Sequence, residues 1–155
     1  GSVEYGQGGK YACRKITMGC LLHDIGLRFI VTRYKNRDFS NANPAELFEY
    51  KKHTILGYSA LDEENWIAPI SMKMVLSHHE NMAGTGFPMK QKNKELECRI
   101  IQACDAFDSL ISGMECKRIC VQEAINQIKE NNGKLMLHNR LNLMLDKNIS
   151  ILQVI

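Results

Sequence analysis

Four of the chain's five histidines fall in apolar stretches with helical spacing, and two aspartates share that setting. His23 and Asp24 stand between Leu21-Leu22 and Ile25-Gly26. His53 opens the run His-Thr-Ile-Leu-Gly57, His78 and His79 follow Met-Val-Leu-Ser77, and Asp105 sits in Ile-Gln-Ala-Cys-Asp-Ala-Phe107. Helices that turn apolar faces inward would carry these imidazoles and carboxylates into a shared interior. Burying them together is costly unless something positive neutralises them. A metal cluster removes that cost, because neutral imidazoles suit borderline cations and carboxylates can bridge two of them. The chain is therefore expected to fold helices around metal ions.

Taken singly, each residue has a plainer explanation. A lone histidine on an apolar face is more often a hydrogen-bonded core residue than a ligand, Asp105 could cap or pair, and the doublet could point one ring inward and one outward. The joint pattern favours the metal. Neighbouring residues on a helix differ by about 100°, so His23 and Asp24 can approach adjacent ions or Asp24 can bridge both. His138, among Leu135, Met136, Leu137 and Leu141, reads as structural.

At 155 residues the chain is one domain, long enough for a core without staples. A net charge of +3, with no concentrated basic run, gives no case for a polymeric nucleic acid. No stretch is long or apolar enough to span a membrane, and no signal peptide is visible. Six cysteines without a CxxC pair read as reduced core thiols of a cytoplasmic protein. The opening Gly-Ser reads as a cleavage scar, so the chain is expected to be a piece of a longer protein.

The periodicity is helical throughout, and no alternating strand pattern appears. A glycine-rich start over residues 1–10 reads as disordered or tag-derived. Helices are expected from Tyr11 to Ile25, with Cys13, Ile16, Cys20 and His23 on one face and Gly26 as the stop, and from Pro44 to Leu61, capped by Asn43. Others are expected from Trp66 to Glu80, with Ile67, Ile70, Met74 and His78 in one stripe, and from Lys94 to Ile111, with Cys98, Ile101, Asp105 and Asp108 together. The segment from Arg28 to Asn43 reads as mostly loop. Two last helices, Val121 to Asn131 and Leu135 to Asp146, flank Gly133, and residues 147–155 form a tail. Gly84-Thr-Gly-Phe-Pro88 reads as a turn with Gly84 and Gly86 at positive φ, or as a loop flanking substrate. Glu80 and Asp108, each beside the ligand set, could orient an imidazole or carry a proton.

These residues carry a family resemblance. Leu-Leu-His-Asp-Ile-Gly26 resembles the signature of HD-domain phosphohydrolases. His78-His-Glu-Asn-Met-Ala-Gly-Thr-Gly-Phe-Pro88 is similar to the signature of their HD-GYP subfamily. Asp105-Ala-Phe-Asp-Ser-Leu110 and Lys52-His53-Thr-Ile-Leu-Gly57 resemble two further segments, and the order fits over residues 11–146. The resemblance implies an all-α HD-domain bundle around a di- or trinuclear site of two or three divalent ions, iron or manganese. It implies His23, Asp24, His53, His78, His79 and Asp105 as ligands, with His23, Asp24 and Asp105 at the reacting centre. The implied reaction is hydrolysis of cyclic di-GMP or a related cyclic dinucleotide by a hydroxide bridging the metals, and the family commonly couples this domain to a sensory module.

Departures gather away from the ligands. Leu27 stands where the family has a lysine that handles phosphate, Ala83 replaces an aspartate, and Phe87 replaces a tyrosine. Met114 replaces an arginine, and Lys117 would keep a later positive charge. Gly86, Phe87 and Lys117 are thus the expected substrate contacts. Each lost cation removes a charge-assisted contact worth on the order of 1.5–3 kcal/mol. This keeps open two alternatives, a metal-holding sensor or interaction domain with weak or no turnover, and a phosphohydrolase acting on another nucleotide.

Overall fold

The computed structural model describes residues 7–31, 39, 41–114 and 116–130. The described residues form six α-helices and one short 3-10 helix joined by turns and loops, and they contain no strand. The all-α class expected from periodicity is thus observed. The helix read over Leu135–Asp146, His138 within it, and the tail at 147–155 lie outside the described residues.

Helix α1 covers Gln7–Leu22, taking in residues 7–10 that the glycine content assigned to disorder. Its inner face brings Ile16 and Cys20 against Met74, Cys98 and Ile101. Gly19 allows this approach, since a Cβ there would meet the Met74 side chain within 3.0 Å. Ser71, fully buried, donates to the Lys15 carbonyl at 2.7 Å and fastens α1 to α4 (Pro69–Ser77). Cys13, placed on the inner face by spacing, is exposed. Of the six cysteines, all of them free, Cys98 is buried and Cys20 packs partly buried against its cluster, whereas Cys13, Cys104 and Cys120 are exposed, so the reading as core thiols fails for those three.

A 3-10 helix, Ile25–Phe29, follows the α1 end and lies against α3 (His53–Leu61). Gly26 is not the helix stop, because α1 ends at Leu22. It lies where a Cβ would overlap the His53 carbonyl oxygen and come within 2.6 Å of Gly57 N. Gly57 faces it, packed at Cβ distance on Gly26 N and Val75. The two glycines therefore let two backbones touch, and this contact brings Asp24 to His53.

The single helix expected over 44–61 is two. Asn43 and Glu46 form a reciprocal capping box, and Pro44 occupies the first turn of α2 (Pro44–Lys51). At Lys52 the chain tightens, with its N–H turned to the Glu49 and Tyr50 carbonyls, before α3 resumes at His53. Helix α4 starts at Pro69 rather than Trp66, which is exposed in the preceding turn, and ends before the histidine doublet.

Helix α5 (Leu96–Ser112) stops at Gly113, whose φ of 79° is the left-handed conformation of a glycine C-cap and whose N–H donates to Ser109 O. Its face runs from buried Cys98 and Ile101 out to Asp105 and exposed Asp108. Helix α6 (Val121–Glu130) closes the bundle, packing Ile128 on Ala103, Phe107 and Leu110.

Candidate metal centre

Five of the six ligand candidates sit at helix ends rather than in helix interiors, and Asp105 alone stands within a helix, α5. His23 and Asp24 follow α1, His53 begins α3 just past the kink at Lys52, and His78 and His79 follow α4. The last carbonyls of a helix lack intrahelical partners, and three of these imidazoles supply them. His23 Nδ1 lies 2.7 Å from Cys20 O, His53 Nδ1 2.7 Å from Tyr50 O, and His78 Nδ1 2.9 Å from Val75 O. Each partner is three residues back along the chain. A carbonyl only accepts, so Nδ1 must carry the proton and donate, which leaves Nε2 to face the interior.

Those Nε2 atoms converge on Asp24. His53 Nε2 and His78 Nε2 are each 3.5 Å from Asp24 Oδ1 and 3.2 Å from one another. His23 Nε2 is 3.5 Å from Asp24 Oδ2 and 3.8 Å from Asp105 Oδ1, and His79 Nδ1 is 3.7 Å from Asp105 Oδ2. The six residues resolve into two overlapping groups, Asp24-His53-His78-His79 and His23-Asp24-Asp105. Within each, the ligand atoms lie within 4.8 Å of one another, and Asp24 belongs to both.

The arrangement fits metal ions on its own evidence. Asp24 Oδ1 and His79 Nε2 are buried without a hydrogen-bond partner among the described residues. His53 and His78, fully buried, aim two lone pairs at each other and at a carboxylate oxygen, an assembly with nothing positive at its middle. Adjacent ligands about 2.1 Å from one ion stand about 3 Å apart, close to the 3.2 Å between the two nitrogens. The donor set is imidazole nitrogen and carboxylate oxygen without thiolate, which suits iron, manganese, zinc or nickel.

Charges in the cluster are set by the same crowding. Burial pushes His53 down to about 4, helped by the nearby His78 imidazole. Burial and the surrounding imidazoles hold His79 well below its ordinary value. Burial also opposes charge on His23, but the neighbouring Asp105 and Asp24 carboxylates prevail and raise it to about 9. Burial disfavours the charged Asp24 carboxylate, yet the imidazoles of His78, His23 and His53 hold it below the usual carboxylate range.

Residues expected around this centre fall differently. Glu80, buried, accepts from Met89 N at 2.5 Å and Gln91 N at 3.0 Å, one bond to each carboxylate oxygen. It holds the loop after the doublet and neither orients an imidazole nor stands free to carry a proton. Gly84 has the expected positive φ of 73°, whereas Gly86 does not. A Cβ at Gly86 would overlap the His79 carbonyl oxygen, so the close approach of the two backbones requires a glycine there. Phe87 stacks on His79 with ring centroids 4.4 Å apart and planes 23° apart, and it packs on the Ile30–Tyr50 cluster. Its position fits it to fix that imidazole. Asp108 does face the centre, lining a cavity of about 220 Å³ with His23, Asp24, Asp105, Ser109 and Met114. Lys117 is exposed and does not line that cavity. Leu27 packs in the Ile30–Tyr50 cluster.

Two residues had no motif to reveal them. Buried Tyr50 gives its carbonyl to His53 and sets its ring against Phe39 and His53. Lys51 carries its ammonium 5.3 Å from the centre of the Phe87 ring. Their only signal was their spacing of three and two before His53, which has meaning once a helix is known to end there.

Comparison with known proteins agrees with the geometry. The HD domain family profile matches residues 9–138, and the chain belongs to that family, within its HD-GYP group. It is 30% identical over 125 residues to a cyclic di-GMP phosphodiesterase of Thermotoga maritima, covering 78% of this chain and 34% of that protein. It is 28% identical over 123 residues to the cyclic di-GMP phosphodiesterase PA4108 of Pseudomonas aeruginosa, covering 77% and 30%. It is 30% identical over 119 residues to the cyclic di-GMP phosphodiesterase response regulator RpfG of Xanthomonas campestris, covering 72% and 30%. The chain thus spans about a third of the length of these relatives. No helix among the described residues is long and apolar enough to cross a membrane.

Proposed function

We propose that this domain is a metal-dependent phosphodiesterase that hydrolyses cyclic di-GMP or a related cyclic dinucleotide. The observation that carries the reading is the pair of ligand groups joined through Asp24 beside an open cavity. His53, His78 and His79 with Asp24 would hold one ion, and His23 and Asp105 with Asp24 the other; iron or manganese suits the donors. When bound, such ions acidify water and stabilise charge growing on a phosphoryl group.

The residues themselves divide the remaining work. The carbonyls of Cys20, Tyr50 and Val75 fix the tautomers of His23, His53 and His78, so that Nε2 is the donor atom on all three. Phe87 and Asp105 fix His79 from its face and its edge. Asp108, exposed on the cavity wall one turn beyond Asp105, is placed to take a proton from the reacting centre or to meet the substrate. Names of the relatives support the dinucleotide as substrate.

The experiment is incubation of the metal-loaded protein, with manganese and separately with iron(II) without oxygen, with cyclic di-GMP. Products are followed by chromatography, with His23→Ala as control. Turnover that disappears in the variant is the expected result. A protein that holds its metals and leaves cyclic di-GMP intact overturns the assignment. It would then favour a metal-holding sensor domain, the reading to which the apolar burial of Leu27 also lends weight.

A further inference from the structure

Apart from the ligand His23, the described side chains lining the cavity beside the metal centre are carboxylates or uncharged. Asp24, Asp105, Asp108, Ile101 and Met114 line it with Cys104 and Ser109, and among the described residues no lysine or arginine does. A phosphodiester is an anion, and its non-reacting phosphate oxygens want a cation that this wall does not supply. On the other flank stands Lys51, in the last turn of α2. Its ammonium lies 5.3 Å from the Phe87 ring centre, and Phe87 in turn stacks on His79. The side chain is exposed and has no carboxylate partner among the described residues.

The adjacent lysine makes the contrast. Lys52 Nζ is 2.6 Å from Glu49 Oε1 and 4.8 Å from the Phe48 ring centre, so its charge is already spent. Lys73 is likewise paired, with Glu95 at 2.8 Å. A plainer role for Lys51 is a helix-end cation favoured by the α2 dipole, and this would affect stability alone.

We propose that Lys51 is the cation that receives a substrate phosphate, entering from the His79–Phe87 side. The cavity beside Asp108 and Met114 then takes the rest of the substrate. This rests on the phosphodiesterase reading for its substrate, but not for its test. Binding of inorganic phosphate to the manganese-loaded protein is measured by calorimetry for the wild type, Lys51→Ala, Lys51→Arg and Lys52→Ala. Kinetics on cyclic di-GMP and thermal melting are followed beside it. Lys51→Ala is expected to weaken phosphate binding about tenfold or more and to raise KM by a similar factor, with kcat and melting temperature little changed. Lys51→Arg is expected to keep binding within about threefold of the wild type, and Lys52→Ala to match it. Equal phosphate affinity in wild type and Lys51→Ala, equal losses in the two alanine variants, or no phosphate binding by the wild type overturns the proposal. Lys51-dependent phosphate binding without turnover of cyclic di-GMP would sustain it while overturning the phosphodiesterase assignment.

Discussion

Metal binding should release a proton from one half of the centre and not from the other. In the metal-free protein His23 Nε2 lies between Asp24 and Asp105, which raise its pKa to about 9. At pH 7 its ring is therefore charged, and an ion can take Nε2 only by displacing that proton. Two pH units of competition weaken apparent affinity on the His23 side about 100-fold, or about 2.7 kcal/mol. His53, pushed down to about 4, and His79, held well below its ordinary value, are already neutral and impose no such cost. Manganese titrations by calorimetry between pH 6.5 and 8.5, in buffers of different ionisation enthalpy, read the proton count directly. Near pH 7 the His23 side should release about one proton, and its affinity should rise about tenfold per pH unit toward pH 9. His23→Ala should abolish that release while leaving the tighter His53 side in place. An affinity independent of pH over this range, or proton release that survives His23→Ala, would refute the reasoning. The same sign governs the metal-free fold. A raised histidine pKa contributes stability that is complete below about 6.5 and lost as pH rises through about 9.

Three further outcomes test the architecture. Asp24→Ala should strip both ions, whereas Asp105→Ala should leave the ion of the His53 group, as counted by elemental analysis of dialysed protein. Gly26→Ala sets a Cβ against the backbone of His53 and Gly57, with no flexible side chain to give way, and should cost about 3 kcal/mol or more in chemical denaturation. An unchanged denaturation midpoint would contradict the close approach. Glu80→Ala strands two backbone amides, of Met89 and Gln91, and should cost about 1.5–3 kcal/mol; metal content after dialysis should stay at the wild-type level, because Glu80 touches no ligand.

Helical periodicity made the bundle legible, and the inward faces of α4 and α5 fall where spacing placed them. Met74, Cys98 and Ile101 are in one cluster, and His78 is buried beyond them. Helix ends were harder to read. Nothing in Tyr50-Lys51-Lys52-His53 is a helix breaker, so the run from Pro44 to Leu61 reads as continuous. The break at Lys52 is tied to a tertiary fact, the capture of the Tyr50 carbonyl by His53 within a closed centre. Gly26 and Gly57 were visible as motif positions, but their purpose lies in a contact between segments thirty residues apart, which no local pattern encodes. Glu80 misled for a related reason. A carboxylate next to two histidines suggests chemistry until its two amide partners, nine and eleven residues onward, are in view.

The helix ends also explain why this bundle is suited to a metal cluster. A histidine inside a helix finds the carbonyls behind it occupied by backbone N–H groups, and its imidazole can take either tautomer. A histidine just past a helix end meets a carbonyl three residues back that still lacks a partner. His23 and His78 use such a carbonyl and His53 shares that of Tyr50 with the Lys52 N–H, and each gains a fixed tautomer and a fixed ring plane without recruiting any side chain. What remains is to bring three helix ends to one point. The Gly26–Gly57 backbone contact, the packing of the Met74 side chain on Gly19 and the Ser71 hydroxyl's bond to the Lys15 carbonyl do that. Ligand geometry is thereby set by main chain, and the side chains around it are left free to vary. Leu27 can become core and Phe87 a ring stacked on His79 while six ligand residues keep their places. A centre built this way tolerates change in how substrate is held more readily than change in how metal is held. For that reason substrate preference in this chain should be sought in Lys51 and Asp108 rather than in the ligands themselves.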